Sequence, residues 1–286
     1  MTILRAQHLG MCFGVRDAIA LAQQHAREKP LTVLGELVHN QFVLQDLRRH
    51  GVQSSAKPES ALTSQVMITA HGASDKSKAH ARSLGLEVLD ATCPLVASAH
   101  AALRRLIEKG LHPIIVGKRD HVEVKGMTGD LTAFDVILCG EDVQKISYKP
   151  GFGIVAQTTQ PIEKVHSLVE LLRNRFSDSK IEFIDTVCRP TKQRQQAAVE
   201  LAQECSVVIV VGGTKSNNTR ELVATCGKYC RNIHHVQDEN EVQAEWFGAE
   251  SIIGITAGTS TPDLLIDSVE KRIREIEKSV CEVQLV

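Results

Sequence analysis

The sequence predicts an α/β protein built from repeated strand–helix–strand units with parallel sheets, and three observations predict it. Short runs rich in Val, Ile and Leu alternate with amphipathic stretches along all 286 residues, the layout of right-handed βαβ crossovers with helices on both sheet faces. Aromatic residues are sparse, seven Phe, two Tyr and one Trp, so the core must come from Val, Ile, Leu and Ala, which suits sheets buried on both sides. No Pro- or Gly-rich linker interrupts the pattern, so any domain boundaries are tight.

Taken in order, a helix is expected over 15–28, where apolar residues recur three and four apart. β-branched runs bounded by Gly, His or charged residues then predict strands at 31–37, 66–70 and 86–91. Pro94 opens a periodic helix over 95–109, followed by strands at 113–117, 134–139 and 153–157. A helix over 162–176 precedes a strand at 181–187, and a helix over 192–204 precedes one at 206–212. Helices over 220–230 and 264–278 flank a last strand at 252–257.

Composition narrows the function classes. The length allows one large domain or two to three small ones at about 100–200 residues each. Lys plus Arg number 33 against 34 Asp plus Glu, a balance that argues against non-specific binding to nucleic acid or anionic membrane. With 43% hydrophobic and 23% charged residues the chain is not disordered. No apolar run approaches the about 20 residues of a membrane span, and the N-terminus lacks the basic-then-apolar layout of a signal peptide. The expectation is a soluble, cytoplasmic protein without nucleic-acid or membrane partners.

A faint repeat surrounds two of the eight cysteines. Asp90-Ala-Thr-Cys93 ends one strand and opens a helix, and Asp185-Thr-Val-Cys188 does the same 95 positions later. Cys12, in Leu9-Gly-Met-Cys-Phe-Gly14, lies 81 positions before Cys93 and also opens a helix. Three units of this length would make a pseudo-threefold chain, each unit donating one cysteine. A helix N-terminus favours thiolate over thiol and prepares a metal ligand. Three thiolates could hold zinc, but structural zinc sites pair their cysteines at short spacing. Isolated single cysteines are better matched to an iron–sulfur cluster with one iron left open. Cys139 and Cys205 read as core residues, Cys226 and Cys230 as packing on one helix face, and Cys281 as part of a strand-like tail.

The other chemical groups collect after strands. They are His39, His71, His121 with Glu123, Thr158 with Thr159, Ser216 with Asn217 and Asn218, and Thr259 with Ser260. Ligands of open parallel sheets bind beyond the carboxyl ends of the strands. Any one of these motifs could be a turn or helix cap. Together, hydroxyls, amides, imidazoles and helix N-termini suit a phosphate or diphosphate.

These motifs carry a resemblance. Gly10-Met-Cys-Phe-Gly-Val15, Glu36-Leu-Val-His-Asn40, Ala70-His-Gly72, Asp90-Ala-Thr-Cys-Pro-Leu-Val96 and His121-Val-Glu-Val124 come first. Gln157-Thr-Thr159, Arg194-Gln195, Ser216-Asn-Asn218 and Thr256-Ala-Gly-Thr-Ser-Thr-Pro-Asp263 follow. In this order, over nearly the whole chain, the sequence resembles the 4-hydroxy-3-methylbut-2-enyl diphosphate reductases, terminal enzymes of the non-mevalonate isoprenoid pathway.

The resemblance implies three pseudo-symmetric α/β domains in a trefoil around a central [4Fe–4S] cluster. Their expected spans are 13–92, 93–186 and 187–286, with residues 1–12 packing centrally or against the third. It makes Cys12, Cys93 and Cys188 the cluster ligands and Glu123 the proton-delivering carboxylate. Thr158 lies near the substrate hydroxyl. His39, His71, His121, Ser216, Asn217, Asn218 and Ser260 hold the diphosphate. An electron donor such as ferredoxin or flavodoxin is implied as a partner. The chain departs from the family pattern at Val122, where Pro is common, at Asn217, where Ser is common, and in the Arg189-Pro190 run after the third cysteine. Two competing readings are an iron–sulfur sensor or altered-substrate paralogue on the same scaffold, and a zinc hydrolase using His39, His71, His121 and Glu123. A sensor would need the cysteines but not Glu123 or the anion groups; the hydrolase leaves the three cysteines unexplained.

Overall fold

The computed structural model describes residues 1–283. The first quarter of the chain forms β1 (Thr2–Arg5), α1 (Phe13–Glu28), β2 (Leu31–Leu34), α2 (Gln41–Arg49), β3 (Val52–Ser55) and β4 (Gln65–Ile68). Next come α3 (Asp75–Ser83), β5 (Glu87–Asp90), α4 (Pro94–Glu108), β6 (His112–Val116), α5 (Val122–Thr128), β7 (Asp135–Ile137), α6 (Gly140–Gln144) and β8 (Gly151–Ala156). The remainder is α7 (Ile162–Arg175), β9 (Lys180–Phe183), α8 (Arg189–Glu204), β10 (Val207–Val211), α9 (Asn217–Cys226), β11 (Ile233–Val236), β12 (Ile252–Ala257) and α10 (Asp263–Val283).

These strands make three four-stranded sheets, all parallel, in the orders β3-β2-β4-β5, β7-β6-β8-β9 and β11-β10-β12-β1. The order is the same each time: second strand, first, third, fourth. In the last sheet β1, from the other end of the sequence, takes the fourth place. The likeness extends to single bonds. The glycine closing each first strand, Gly35, Gly117 or Gly212, donates its amide to the carbonyl closing the second, Ser55, Ile137 or Val236.

The chain forms two compact units, one of Met1–Phe13, His39–Val43 and Arg189–Val286, the other of Gly14–Val38 and Leu44–Cys188. In the larger unit one core gathers Ile114, Val116, Phe152, Ile154 and Leu172, and a second gathers Leu103, Leu106, Ile115, Val124 and Val155. In the smaller unit Ile209, Val211, Ile253, Ile255 and Ile273 pack on one face of the sheet, and Ala198, Leu201, Val208, Val210 and Leu222 on the other. Burial on both faces is what the Val- and Ile-rich strands require. Among the described residues no helix is long and apolar enough to cross a membrane.

The nine strands read from the sequence are all present, some shorter, and three more join them. β1, β3 and β11 are edge strands, and the polar residues of Val-Gln-Ser-Ser and Ile-His-His-Val hide their periodicity. The helices α2, α3, α5 and α6 were also not expected; α3 buries only Ala81 and so has no apolar stripe to read. Two cysteine readings are corrected. Cys139 is exposed at the N-terminus of α6 rather than in the core, because the strand ends at Ile137. Cys281 falls within α10, not in a strand-like tail.

Candidate active site

In the larger unit, the segment leaving β6 carries His121 and Glu123 and the segment leaving β8 carries Thr158. The segment after β6 folds into α5 with His121 as its cap: the ring Nδ1 accepts the Glu123 amide at 3.2 Å. Capping places the Glu123 side chain at the start of the helix and buries it, 1% exposed. Its two oxygens accept the Thr158 amide at 2.6 Å and the Thr158 hydroxyl at 3.0 Å. Burial outweighs these bonds and pushes the carboxyl up to about 7, so near neutral pH it can carry a proton. His71 meets His121 edge-on, ring centroids 5.4 Å apart. Asp120 stays on the surface beside Lys125 and takes no part. Val122 is exposed at the first turn of α5.

Cys93 and Cys188 belong to the same unit, Cys12 to the other, and all three have the same local setting. Each precedes a long helix: α4, α8 or α1. The Cys93 amide donates to Ala70 and the Cys188 amide to Thr158, while the Cys12 amide donates to Thr259. Those carbonyls lie two residues past β4, β8 and β12, the third strand of each sheet. Two residues before each cysteine, the Ala91 amide, the Thr186 hydroxyl and the Gly10 amide bond the carbonyls of Ile68, Ala156 and Ala257. Asp90 and Asp185 each accept an amide two residues on, from Thr92 and Val187, which sets the same turn before both cysteines. The Arg194 guanidinium, buried on α8, donates to the Gly10 carbonyl at 2.6 Å and braces the loop before Cys12. Pro190 falls in the first turn of α8, where no helical amide is missed.

Thiol sulfur, the donor that each of these segments carries, is the donor type an iron–sulfur cluster takes. Room is kept beside one of them: a methyl group on Gly14 would lie 2.5 Å from the Cys93 sulfur. Burial raises the thiol of Cys205 to about 11 and that of Cys226 to about 12, so both remain protonated.

In the smaller unit, Ser216 caps α9 by accepting the Thr219 amide. Asn218 accepts the Thr259 amide at 3.0 Å, joining the segment after β10 to the one after β12. The Asn217 and Asn218 amide nitrogens and the Ser260 hydroxyl are buried, and no described residue bonds them. Buried donors left over in this way call for an acceptor, and at a helix N-terminus an anion is the natural one. Thr219, whose hydroxyl is likewise unpartnered, lies against Gly212 and Gly258, where any side chain would collide with it. A carbon on Gly213 would come 2.3 Å from the His39 carbonyl, so this glycine seats the His39 backbone in the same unit.

Thr219 is a participant with no place among the sequence motifs, and Gln157 and Arg194 stood in those motifs without a role. Gln157 directly follows a strand, whereas Arg194 and Thr219 sit within helices among polar neighbours and carry no such signal.

Parallel sheets that carry cysteines, buried amide and hydroxyl donors and a protonatable carboxyl group at their carboxyl edges place the protein among α/β enzymes with their chemistry at the strand ends. Comparison with known proteins narrows this class. The pattern of the LytB protein family matches residues 3–274, and the chain belongs to that family. It is 37% identical to the 4-hydroxy-3-methylbut-2-enyl diphosphate reductase of Aquifex aeolicus, covering 99% of this chain and 98% of that protein. It is 36% identical to the enzyme of the same name from Pelobacter propionicus, covering 97% and 99%. A solved (E)-4-hydroxy-3-methyl-but-2-enyl diphosphate reductase, the terminal enzyme of the non-mevalonate pathway, superposes with a TM-score of 0.68 at 33% identity, over 96% of this chain and 100% of that one. The corresponding reductase of Plasmodium falciparum shares the fold, with a TM-score of 0.88 at 24% identity over 94% and 87%.

Proposed function

We propose that this chain removes the hydroxyl group of 4-hydroxy-3-methylbut-2-enyl diphosphate to give isopentenyl and dimethylallyl diphosphate, with a [4Fe–4S] cluster held by Cys12, Cys93 and Cys188. The observation that carries the reading is the common register of these cysteines, each tied to the carbonyl two residues past the third strand of a sheet. The cluster, when bound, supplies electrons singly and an open iron that polarises the allylic carbon–oxygen bond. The threefold division at 13–92, 93–186 and 187–286 is part of this reading, and its support is the four-stranded sheet in each of the first two spans and the three strands that the third span adds to β1. An electron donor such as ferredoxin or flavodoxin supplies the reducing equivalents, and the cytoplasm is the setting.

The protein's own groups bind the diphosphate and deliver the proton. Ser216, Asn217, Asn218 and Ser260 offer donors to its oxygens, with His39, His71 and His121 adding charge or hydrogen bonds. Hydroxide is a poor leaving group, so the hydroxyl must depart as water. Glu123 holds the proton it needs, kept protonatable by burial and oriented by both bonds from Thr158. Two electrons and two protons enter in all. One proton leaves with the oxygen as water, and the other adds to either end of the allyl unit, giving the two products.

Anaerobic purification, iron and sulfide assay, and turnover with this substrate and an artificial reductant test the reading. Wild-type protein is expected to be brown and to form both products. Cys93→Ala is expected to be pale and inactive, and Cys205→Ala to stay brown. Full iron and sulfide in Cys93→Ala would contradict the ligand assignment, and fully loaded wild-type protein that makes neither product would contradict the activity.

A further inference from the structure

Gln157, the residue after β8, is fully buried, and the mechanism above gives it no task. Its side-chain oxygen accepts the Lys118 amide at 3.1 Å and the Gln160 side-chain amide at 3.2 Å. Its own amide nitrogen donates to the Thr159 hydroxyl at 3.1 Å. The first bond holds the segment leaving β6, which delivers His121 and Glu123. The other two hold the segment leaving β8, which delivers Thr158. These are the two segments that meet in the Glu123–Thr158 pair. The fit around the amide is close: a methyl group on Gly117 would lie 2.9 Å from the Gln157 Cβ and 3.0 Å from its oxygen.

We infer that Gln157 is a positioning residue that clamps these two segments together, so that Thr158 stays aligned on Glu123 and the acid stays aimed at the departing hydroxyl. The inference rests on the reading of Glu123 as proton donor. An amide suits the task because it accepts and donates at once and brings no charge into a buried place. A carboxylate there would repel Glu123, and an apolar side chain of the same size would leave the Lys118 amide without its acceptor.

A double-mutant cycle on cluster-loaded enzyme separates clamping from general structural support. Glu123→Gln, Gln157→Leu and the double variant are compared for kcat, KM and iron content. Gln157→Leu is expected to lower kcat about 10- to 100-fold with KM within about twofold, because misplacing a reacting group costs rate rather than binding. In the Glu123→Gln background the same substitution is expected to cost less than about twofold, since the acid it positions is gone. Gly117→Ala reaches the same clamp from the other side, by pressing on the Gln157 oxygen, and should lower kcat in the same sense if Gln157→Leu fails to fold. A Gln157 effect that carries undiminished into the Glu123→Gln enzyme, or that falls on KM alone, would overturn the clamp. Wild-type kcat in Glu123→Gln itself would overturn the proton-donor reading, and the clamp with it.

Discussion

A carboxyl group that folding hides from water costs stability when it must ionise, and Glu123 is such a group. Its folded value of about 7 lies above the ordinary 4.5, burial being the cause. Between those two values the unfolded chain loses this proton while the folded chain keeps it, so stability falls as pH rises through that window and is level above it. Glu123→Gln removes the titration and keeps the hydrogen-bonding shape. The variant is expected to melt higher than wild type at pH 8, with the gap shrinking as pH is lowered toward 4.5. Thermal unfolding at several pH values reads this directly, and a constant gap across that range would show that Glu123 is already ionised in the folded protein. At this scale the sequence was informative about chemical type and poor about surroundings. Glu123 and Thr158 were legible as polar residues after strands, and their mutual bonds were not. Cys139 and Cys205 looked alike in the sequence, yet one is exposed and the other buried, because a strand ended two residues sooner than its apolar run.

Among the elements, the helix starts carry the chemistry. Cys93 caps α4, with Pro94 as the first helical residue, a position where Pro costs no hydrogen bond. Gly14, at the start of α1, faces the Cys93 sulfur closely enough that a methyl group there would force the side chain to turn. Gly14→Ala is therefore expected to weaken iron binding by about 10- to 100-fold, the range seen when groups behind metal ligands are altered. The alanine itself is a good helix former, so the fold should persist. Iron retention under graded chelation, followed with thermal unfolding, checks both halves, and wild-type retention would mean that the Cys93 sulfur does not need the space. The central strands and long helices were legible because burial forces their sequence periodicity. The short helices were not: α5 has seven residues and α3 one buried side chain. The segment that carries His121 and Glu123 therefore looked like a turn, and the capping bond that organises it had no sequence signal beyond a His two residues before a Glu.

In the molecule as a whole, one sheet pattern is used three times with different cargo at its carboxyl edge. The first and second copies run continuously, and the third completes its sheet with β1 from the start of the chain. Two Asp-x-x-Cys turns made the repeat faintly visible in the sequence. Cys12, reached through a Gly10 loop instead of an Asp turn, is equivalent by its backbone bonds and not by its neighbours. That difference explains why the repeat was faint, for what is held constant is a hydrogen-bond register that several local sequences can satisfy. The cargo differs from edge to edge: cysteines at three equivalent positions, buried amide and hydroxyl donors after β10 and β12, and a protonatable carboxyl group after β6.

In the proposed reaction the buried carboxyl group after β6 supplies the proton that lets the substrate oxygen leave. Turnover of 4-hydroxy-3-methylbut-2-enyl diphosphate by wild-type and Glu123→Gln proteins, loaded anaerobically to equal iron content, tests it most directly. Loss of a positioned general acid costs about 100-fold or more in kcat with little change in substrate affinity, and that is the expected result. Asp120→Asn should stay within a few-fold of wild type. Near-normal turnover in the Glu123→Gln protein with its cluster intact would contradict the account.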